Sequence, residues 1–271
     1  MKTLCTFSGK YGDILWSLPT AKHIAEKIVG DKVDFGIMPQ YKSLIPLLME
    51  QSYINTAFDI ENWICTGSPH GDQPWQPPAD AEDGYDKVYH LGYRSHPGIG
   101  GIALPLIDFI AHQQDIKLDN PVPFLSVKEK LERPGVPFMF VGMAFNEQHA
   151  EEKKVFADII KELDGQTVEG MFIYISDLTK LTWLDAALRL ETCDLFVGDR
   201  SANWVLAKGF DKTCVTFEPN HSRHATGPFG KIFGCPYGKA EIPVPGRTLP
   251  QFTARFVNGF ITNRIKEMEK V

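Results

Sequence analysis

The chain has 271 residues, with 28 Lys and Arg against 34 Asp and Glu, and its formal net charge is −6. Its composition, 43% hydrophobic and 23% charged, is typical of a soluble globular protein and suits two modest domains or one large one. No dense basic run is present, so we predict no stable nucleic-acid partner. No apolar run reaches the roughly 18 residues of a membrane span, and the first residues predict a strand rather than a signal peptide.

The five cysteines are scattered along the chain, without a C-x-x-C pair or a zinc-type spacing. Cys5, Cys193 and Cys214 fall in or beside apolar, strand-like runs, where we expect them to pack as small hydrophobic side chains. A reducing, cytoplasmic setting is therefore expected, with no metal and no cofactor.

Strand-like and helix-like patterns alternate along the first half of the chain. Short apolar runs predict strands at residues 4–7, 33–38, 56–58 and 87–91, and apolar residues at helical spacing predict helices at 14–28, 44–49 and 104–112. Residues 65–86 are rich in proline and glycine and predict an irregular loop. That loop could be either a binding flap or a disordered surface insertion.

Beyond a predicted linker at residues 133–137 the alternation begins again. Strands are predicted at 138–141, 171–175, 194–198 and 214–219, with helices at 147–163, at 181–190 and directly after residue 201. Residues 249–269 place apolar side chains on one helical face and are expected to dock across the domains. The pattern predicts an α/β fold with parallel, doubly wound sheets. The domains are predicted at 1–130 and 136–248, followed by a C-terminal helix at 249–271.

Polar residues follow the apolar strand at 194–198, at the point where the next helix begins. In an open parallel sheet, ligands bind outside the carboxyl ends of the strands, and a helix start supplies free N–H groups for an anion. Asp199, Arg200 and Ser201 therefore predict a phosphate site, and the alternative is a helix start that is only capped. The turn at residues 8–12, Ser-Gly-Lys-Tyr-Gly, lacks the spacing of a Walker A motif.

Three stretches of the chain carry a resemblance to a known family. Residues 12–19 read Gly-Asp-Ile-Leu-Trp-Ser-Leu-Pro, and residues 178–187 and 194–198 predict a helix and then a strand. Residues 218–230 contain Glu-Pro-Asn-His-Ser-Arg and then Thr-Gly-Pro-Phe-Gly. In order and spacing these stretches resemble the GT-B glycosyltransferases, specifically the ADP-heptose:lipopolysaccharide heptosyltransferase family (glycosyltransferase family 9). Where that family has Asp-Ser/Thr-Gly-x-x-His, this chain keeps Ser201 but has Ala202 and Val205 in place of the glycine and the histidine.

The resemblance implies two Rossmann-like domains facing a cleft and a metal-independent, inverting transfer of a sugar from a nucleotide-diphosphate sugar to an acceptor hydroxyl. It implies Asp13 as the general base, whereas the residues alone favour a helix N-cap at this position. The acceptor would be a glycan, a lipopolysaccharide-like molecule or a modified nucleic-acid base. The donor-binding residues it implies are Gly9, Lys10, Gly12, Asp199, Arg200, Ser201, Arg223, Thr226 and Gly227, and the acceptor candidates are Trp75, Arg94 and His96.

The alternative from a different class is a non-catalytic binding protein that keeps this fold with an altered donor site, which the departures at Ala202 and Val205 favour. A dinucleotide-binding Rossmann enzyme is disfavoured, because no G-x-G-x-x-G with a following acidic residue is present.

Overall fold

A computed structural model describes residues 1–65, 75–92, 104–132, 138–142, 167–168, 171–176, 181–218, 235–239 and 241–245. The chain divides into two compact units. The first takes Met1–Lys128 with two later segments, Lys208–Asp211 and Arg223–Gly238, and the second takes the remainder. The domain limits expected from the sequence stay predictions.

The first unit is built on a parallel, four-stranded sheet. Its strands are β1 (Thr3–Phe7), β2 (Val33–Ile37), β3 (Ile54–Asp59) and β6 (Lys87–His90), in the order β3-β2-β1-β6. Every residue of β1 and β2 is buried, as expected for central strands covered on both faces. The four strands predicted from apolar runs are confirmed here, to within two residues at each end.

Helices follow the strands of this sheet along the chain. α1 (Tyr11–His23) follows β1, contains Pro19 and continues as a π-helical turn over Ile24–Val29. A 3₁₀ turn (Pro39–Leu44) leads into α2 (Ile45–Leu48), and α3 (Leu106–His112) packs against α1. The predicted helices are thus confirmed, although α1 begins three residues earlier than the apolar spacing indicated.

The segment predicted as an irregular loop has more structure than expected. β4 (Ile64–Cys65) pairs with β5 (Trp75–Gln76) in an antiparallel ribbon, and a 3₁₀ helix spans Ala79–Glu82. Ala81 packs on a buried cluster of Met38, Ile60 and Trp63. The loop prediction is therefore wrong for residues 75–76 and 79–82. It was based on proline and glycine content, which gives no information about the packing of Ala81 on this apolar cluster. Residues 66–74 are not among those described.

The second unit is built on a six-stranded sheet, whose strand order is that of residues 241–245, 213–218, 195–199, 138–142, 171–176 and 167–168 from one edge to the other. β7 (Phe138–Gly142), β9 (Met171–Ser176), β10 (Leu195–Asp199), β11 (Thr213–Glu218) and β12 (Glu241–Pro245) run parallel, and β8 (Thr167–Val168) is antiparallel. α4 (Trp183–Thr192) precedes β10, and α5 (Ala202–Gly209) connects β10 to β11. The predicted helices at 147–163 and 249–269 and the linker at 133–137 fall in parts of the chain that are not described.

The α/β class with parallel, doubly wound sheets is confirmed. Cys5, Cys193 and Cys214 are fully buried, as the sequence predicted, and burial raises the pKa of the Cys5 thiol. Across the described ranges, no helix is long and apolar enough to cross a membrane.

Candidate functional site

The strand order of the first sheet identifies the edge where a ligand is expected. The chain runs outward from β1 through β2 to β3 and then returns to place β6 on the other side of β1. The carboxyl ends of β1 and β6 therefore flank a topological switch point, where open α/β sheets bind their ligands. The β1–α1 turn, which holds the predicted residues Gly9, Lys10, Gly12 and Asp13, lies at this edge.

Asp13 lies inside the first turn of α1 and not at its cap. The helix begins at Tyr11, and the N-cap position is occupied by Lys10, which has extended backbone angles (φ −68°, ψ 168°) and no side-chain capping bond. The N-cap interpretation of Asp13 is therefore wrong, because the chain enters the helix two residues earlier. Its half-buried carboxylate is instead an acidic group in the first turn, where the helix dipole favours negative charge.

Tyr11 ties the start of α1 to the segment after β2. Its hydroxyl donates to the Gln40 carbonyl oxygen at 3.2 Å and lies 3.0 Å from Ser43 Oγ. Its ring meets the Tyr41 ring edge-on, with centroids 5.0 Å apart. The turn that carries Asp13 is thus braced by a side chain rather than by an N-cap.

His90, which the sequence analysis did not single out, occupies the other side of this switch point. Its Nδ1 lies 2.9 Å from the hydroxyl of Thr6, the residue opposite it on β1, and its Nε2 lies 3.3 Å from Glu82 Oε1. Gln114 Nε2 donates to the His90 carbonyl oxygen at 2.7 Å. The sequence feature that could have identified His90 is its position at the end of a predicted strand, just before a glycine-rich turn.

The strand order of the second sheet places the β10–α5 turn at a topological switch point, as the strand order of the first sheet does for the β1–α1 turn. β7 is the first strand of this sheet along the chain; β8 and β9 lie on one side of it and β10, β11 and β12 on the other. The switch point therefore lies between the carboxyl ends of β7 and β10, where Gly142 and Gly198 are register partners. Asp199 ends β10 and Arg200 and Ser201 follow it, so the strand–turn–helix predicted from the sequence is confirmed.

Ser201 lies at the start of α5 and carries one of five buried side-chain polar atoms, among the described residues, that have no hydrogen-bond partner. Its carbonyl oxygen accepts the first helical bonds of α5, from the N–H groups of Trp204 at 3.0 Å and Val205 at 3.2 Å. Its Oγ is buried and has no hydrogen-bond partner among the described residues. A buried hydroxyl without a partner costs about 1 to 3 kcal/mol, so this atom is a candidate contact for a bound ligand.

Arg200 belongs to a buried network that the sequence analysis missed. Its Nε donates to Glu241 Oε1 at 2.6 Å, and the hydroxyl of Thr216 donates to the same oxygen at 2.9 Å. The side chains of Arg200 and Glu241 are only 19% and 10% exposed, and the guanidinium carbon lies 5.8 Å from the centre of the Trp204 ring. Glu241 gave no sequence signal, because the strand that it begins was not predicted.

The remaining predicted residues are distributed as follows. Trp75 lies in β5, opposite Cys65. The donor candidates Arg223, Thr226 and Gly227 and the acceptor candidates Arg94 and His96 lie outside the described residues. Within the described part of the chain, no group of three or more His, Cys, Asp or Glu side chains could hold a metal ion.

No protein-family model matches the chain, and a comparison of its sequence with curated proteins finds no match. Solved structures do match. Heptosyltransferase WaaC from E. coli, solved with ADP, is 12% identical at a TM-score of 0.53, over 97% of this chain and 99% of that one. A glycosyl transferase of family 9 from Veillonella parvula DSM 2008 is 11% identical at a TM-score of 0.54, over 90% of this chain and 85% of that one.

A third similar structure is the dodecameric iron-containing heptosyltransferase TibC, from enterotoxigenic E. coli, in complex with ADP-D-beta-D-heptose. It is 12% identical at a TM-score of 0.53, over 89% of this chain, which spans 62% of the length of TibC. Likeness at this level of identity establishes the fold. The resemblance carried by residues 12–19, 178–198 and 218–230 is thus confirmed at the level of the fold, which is the GT-B-like fold of the heptosyltransferases.

Proposed function

We propose that the chain is a glycosyltransferase that moves a sugar from a nucleotide-diphosphate sugar to the hydroxyl group of a glycan or lipopolysaccharide-like acceptor. The observation that carries the proposal is the position of Ser201 at the switch point of a sheet in a heptosyltransferase-like fold, with a buried Oγ that has no partner among the described residues. Two of the similar heptosyltransferases were solved with ADP or an ADP-sugar, which makes a nucleoside diphosphate the first ligand to test.

At the donor end, the diphosphate is proposed to lie against the β10–α5 turn. Its oxygens would accept hydrogen bonds from Ser201 Oγ and from the first N–H groups of α5, whose dipole favours an anion. Arg200, fixed by Glu241, adds a positive charge beside them, with Asp199 next to it. Such fixed donors stabilise the charge that develops on the leaving diphosphate without a metal ion. Arg223, Thr226 and Gly227 remain proposed donor-binding residues.

At the acceptor end, Asp13 is proposed as the general base. Its carboxylate would take the proton of the acceptor hydroxyl as the oxygen attacks the anomeric carbon of the donor sugar. The nucleoside diphosphate leaves from the opposite face, so the anomeric configuration inverts. Gly9 and Gly12 are proposed as further donor-binding residues, and Lys10, which is exposed, is proposed to neutralise phosphate charge.

A two-stage experiment tests the proposal. A thermal-shift screen against ADP-, GDP- and UDP-sugars should find at least one that raises the melting temperature. Release of nucleoside diphosphate from that donor should then fall at least about a hundredfold in Asp13→Asn, the usual scale for loss of a general base. Asp31→Asn, which alters an exposed carboxylate in the loop after α1, is the matched control. Unchanged turnover in Asp13→Asn would show that another group is the base.

The second candidate is a non-catalytic protein that keeps the GT-B-like fold. The pairing of Arg200 with Glu241 favours this candidate, because the positive charge that a diphosphate would need is already engaged in an ion pair within the protein. Stabilisation by none of the nucleotide sugars supports this candidate over the enzyme.

A further inference from the structure

The first turn of α1 begins without the side-chain bond that commonly caps a helix. An N-cap side chain accepts a hydrogen bond from an N–H group of the first turn and so limits fraying of the helix end. Lys10 occupies the N-cap position here and makes no such bond, while its carbonyl oxygen accepts the Ile14 N–H at 2.9 Å. Asp13, the proposed general base, lies within this turn, so the position of its carboxylate depends on how firmly the turn is held.

The Tyr11 side chain attaches this turn to another part of the unit. Its hydroxyl has one proton, which it donates to the Gln40 carbonyl oxygen at 3.2 Å, so the Ser43 hydroxyl, at 3.0 Å, donates to Tyr11 Oη. Both partners belong to the 3₁₀ turn that follows β2. Two hydrogen bonds therefore join the first residue of α1 to the connection after the neighbouring strand, and the edge-on contact of the rings of Tyr11 and Tyr41 adds to them.

The far end of this attachment reaches the packed interior. Tyr41 packs against the cluster of Met38, Ile60 and Trp63, whose members are each at most 9% exposed. Trp63 is itself fixed, because its Nε1 donates to the Ile60 carbonyl oxygen at 2.7 Å. Because buried side chains are close-packed, a turn tied to such a cluster has little freedom to shift. Tyr11 thus restrains the start of α1 against the core of the unit.

We propose that Tyr11 is a positioning residue for Asp13. By holding the first turn of α1, it fixes the carboxylate where the proton of the acceptor hydroxyl can be taken. Proton transfer needs the two groups within hydrogen-bond reach, and a displacement of about 1 Å lowers a rate by up to about a hundredfold. Tyr11 itself touches no reacting atom and acts through the turn. The catalytic part of this inference rests on the proposed function.

Hydrogen exchange of the Ile14 N–H, followed by NMR, tests the hold of Tyr11 on the turn. Tyr11→Phe keeps the ring contact with Tyr41 and removes both hydrogen bonds of the hydroxyl. Because Tyr11 is only half-buried, the variant is expected to fold. The Ile14 N–H should exchange about tenfold faster in this variant, the scale of one to two lost hydrogen bonds.

Tyr85→Phe is the matched control. It also removes a tyrosine hydroxyl, which donates to Asp34 Oδ2 at 3.0 Å in a bond that includes no residue of α1. The exchange of the Ile14 N–H should therefore stay at the parent rate. Unchanged exchange in Tyr11→Phe, or equal acceleration in both variants, would overturn the proposal, because the second result would assign the effect to global stability.

Turnover provides the second arm, with the donor identified by the thermal-shift screen. Release of nucleoside diphosphate should fall at least about tenfold in Tyr11→Phe and stay at the parent level in Tyr85→Phe. In the Asp13→Asn background, Tyr11→Phe should lower turnover by less than about twofold, because a residue that acts through Asp13 has no effect once that carboxylate is removed.

Two kinetic results would overturn the positioning role of Tyr11. They are unchanged turnover in Tyr11→Phe, and an equal loss of turnover with and without the Asp13 carboxylate. A parent protein that turns over no nucleotide sugar would instead overturn the proposed function. The exchange of the Ile14 N–H tests the hold of Tyr11 on the turn in either case, so the two failures are distinguishable.

Discussion

Replacing Glu241 by alanine should destabilise the second unit strongly. The change leaves the Arg200 charge, in a side chain only 19% exposed, without its carboxylate, and it removes the acceptor of the buried Thr216 hydroxyl. Breaking a buried ion pair on one side costs about 3 to 5 kcal/mol. The partial exposure of both partners argues for the lower end of that range, about 3 kcal/mol, to which the lost Thr216 bond adds about 1 kcal/mol.

The double variant Arg200→Met/Glu241→Leu separates this effect from lost packing. Removing both charges together should restore most of the stability, to within about 1 kcal/mol of the parent protein, because apolar side chains of similar volume replace buried ion pairs at little cost. Urea unfolding followed by tryptophan fluorescence measures both changes, since Trp204 lies beside Arg200. A single variant within about 0.5 kcal/mol of the parent, below the usual range for a buried pair, would refute the structural role of this network.

Two further predictions concern the first unit. Burial raises the pKa of the Asp108 carboxyl above its ordinary 3.8, although the Tyr237 hydroxyl, which donates to it at 2.6 Å, lowers it. The folded state therefore favours the protonated carboxyl, and the contribution of Asp108 to folding stability is fully present below pH 3.8 and is lost as pH rises through the raised pKa. In differential scanning fluorimetry, Asp108→Asn should melt at a higher temperature than the parent protein at neutral pH but not near pH 3. A difference in melting temperature that does not depend on pH would count against this prediction. A Cβ at Gly209 would lie 2.7 Å from Leu125 Cγ and 3.0 Å from Phe124 Cε2. Gly209→Ala should therefore lower the free energy of unfolding, measured in urea, by about 1 to 3 kcal/mol. An unchanged unfolding midpoint would show that the neighbouring side chains move to make room for the methyl group.

The strands of both sheets could largely be predicted from the sequence, because a strand buried on two faces is a continuous apolar run. β8 and β12 could not. β8 has only two residues, and β12 contains Pro243 and Pro245, which are tolerated because that strand lies at the edge of the sheet. An edge position is a property of the sheet and leaves no local pattern in the chain.

The turns of the candidate site were predictable for a similar reason, because polar residues directly follow an apolar strand at residues 199–201 and after β1. The side chains that the residues of these turns contact could not be predicted. Thr6 and His90 are 84 residues apart in the chain, and Arg200 and Glu241 are 41 apart. Only strand pairing brings them together, so the sequence predicted where each turn lies but not which side chains engage there.

The position of a bound nucleoside diphosphate tests the central claim most directly. In a crystal structure of the chain with ADP, the diphosphate should lie at the β10–α5 turn, with an oxygen about 3 Å from Ser201 Oγ and others near the first N–H groups of α5. A nucleotide bound at another edge of the sheet, or a Ser201 hydroxyl still without a partner when ADP is present at millimolar concentration, would contradict the account.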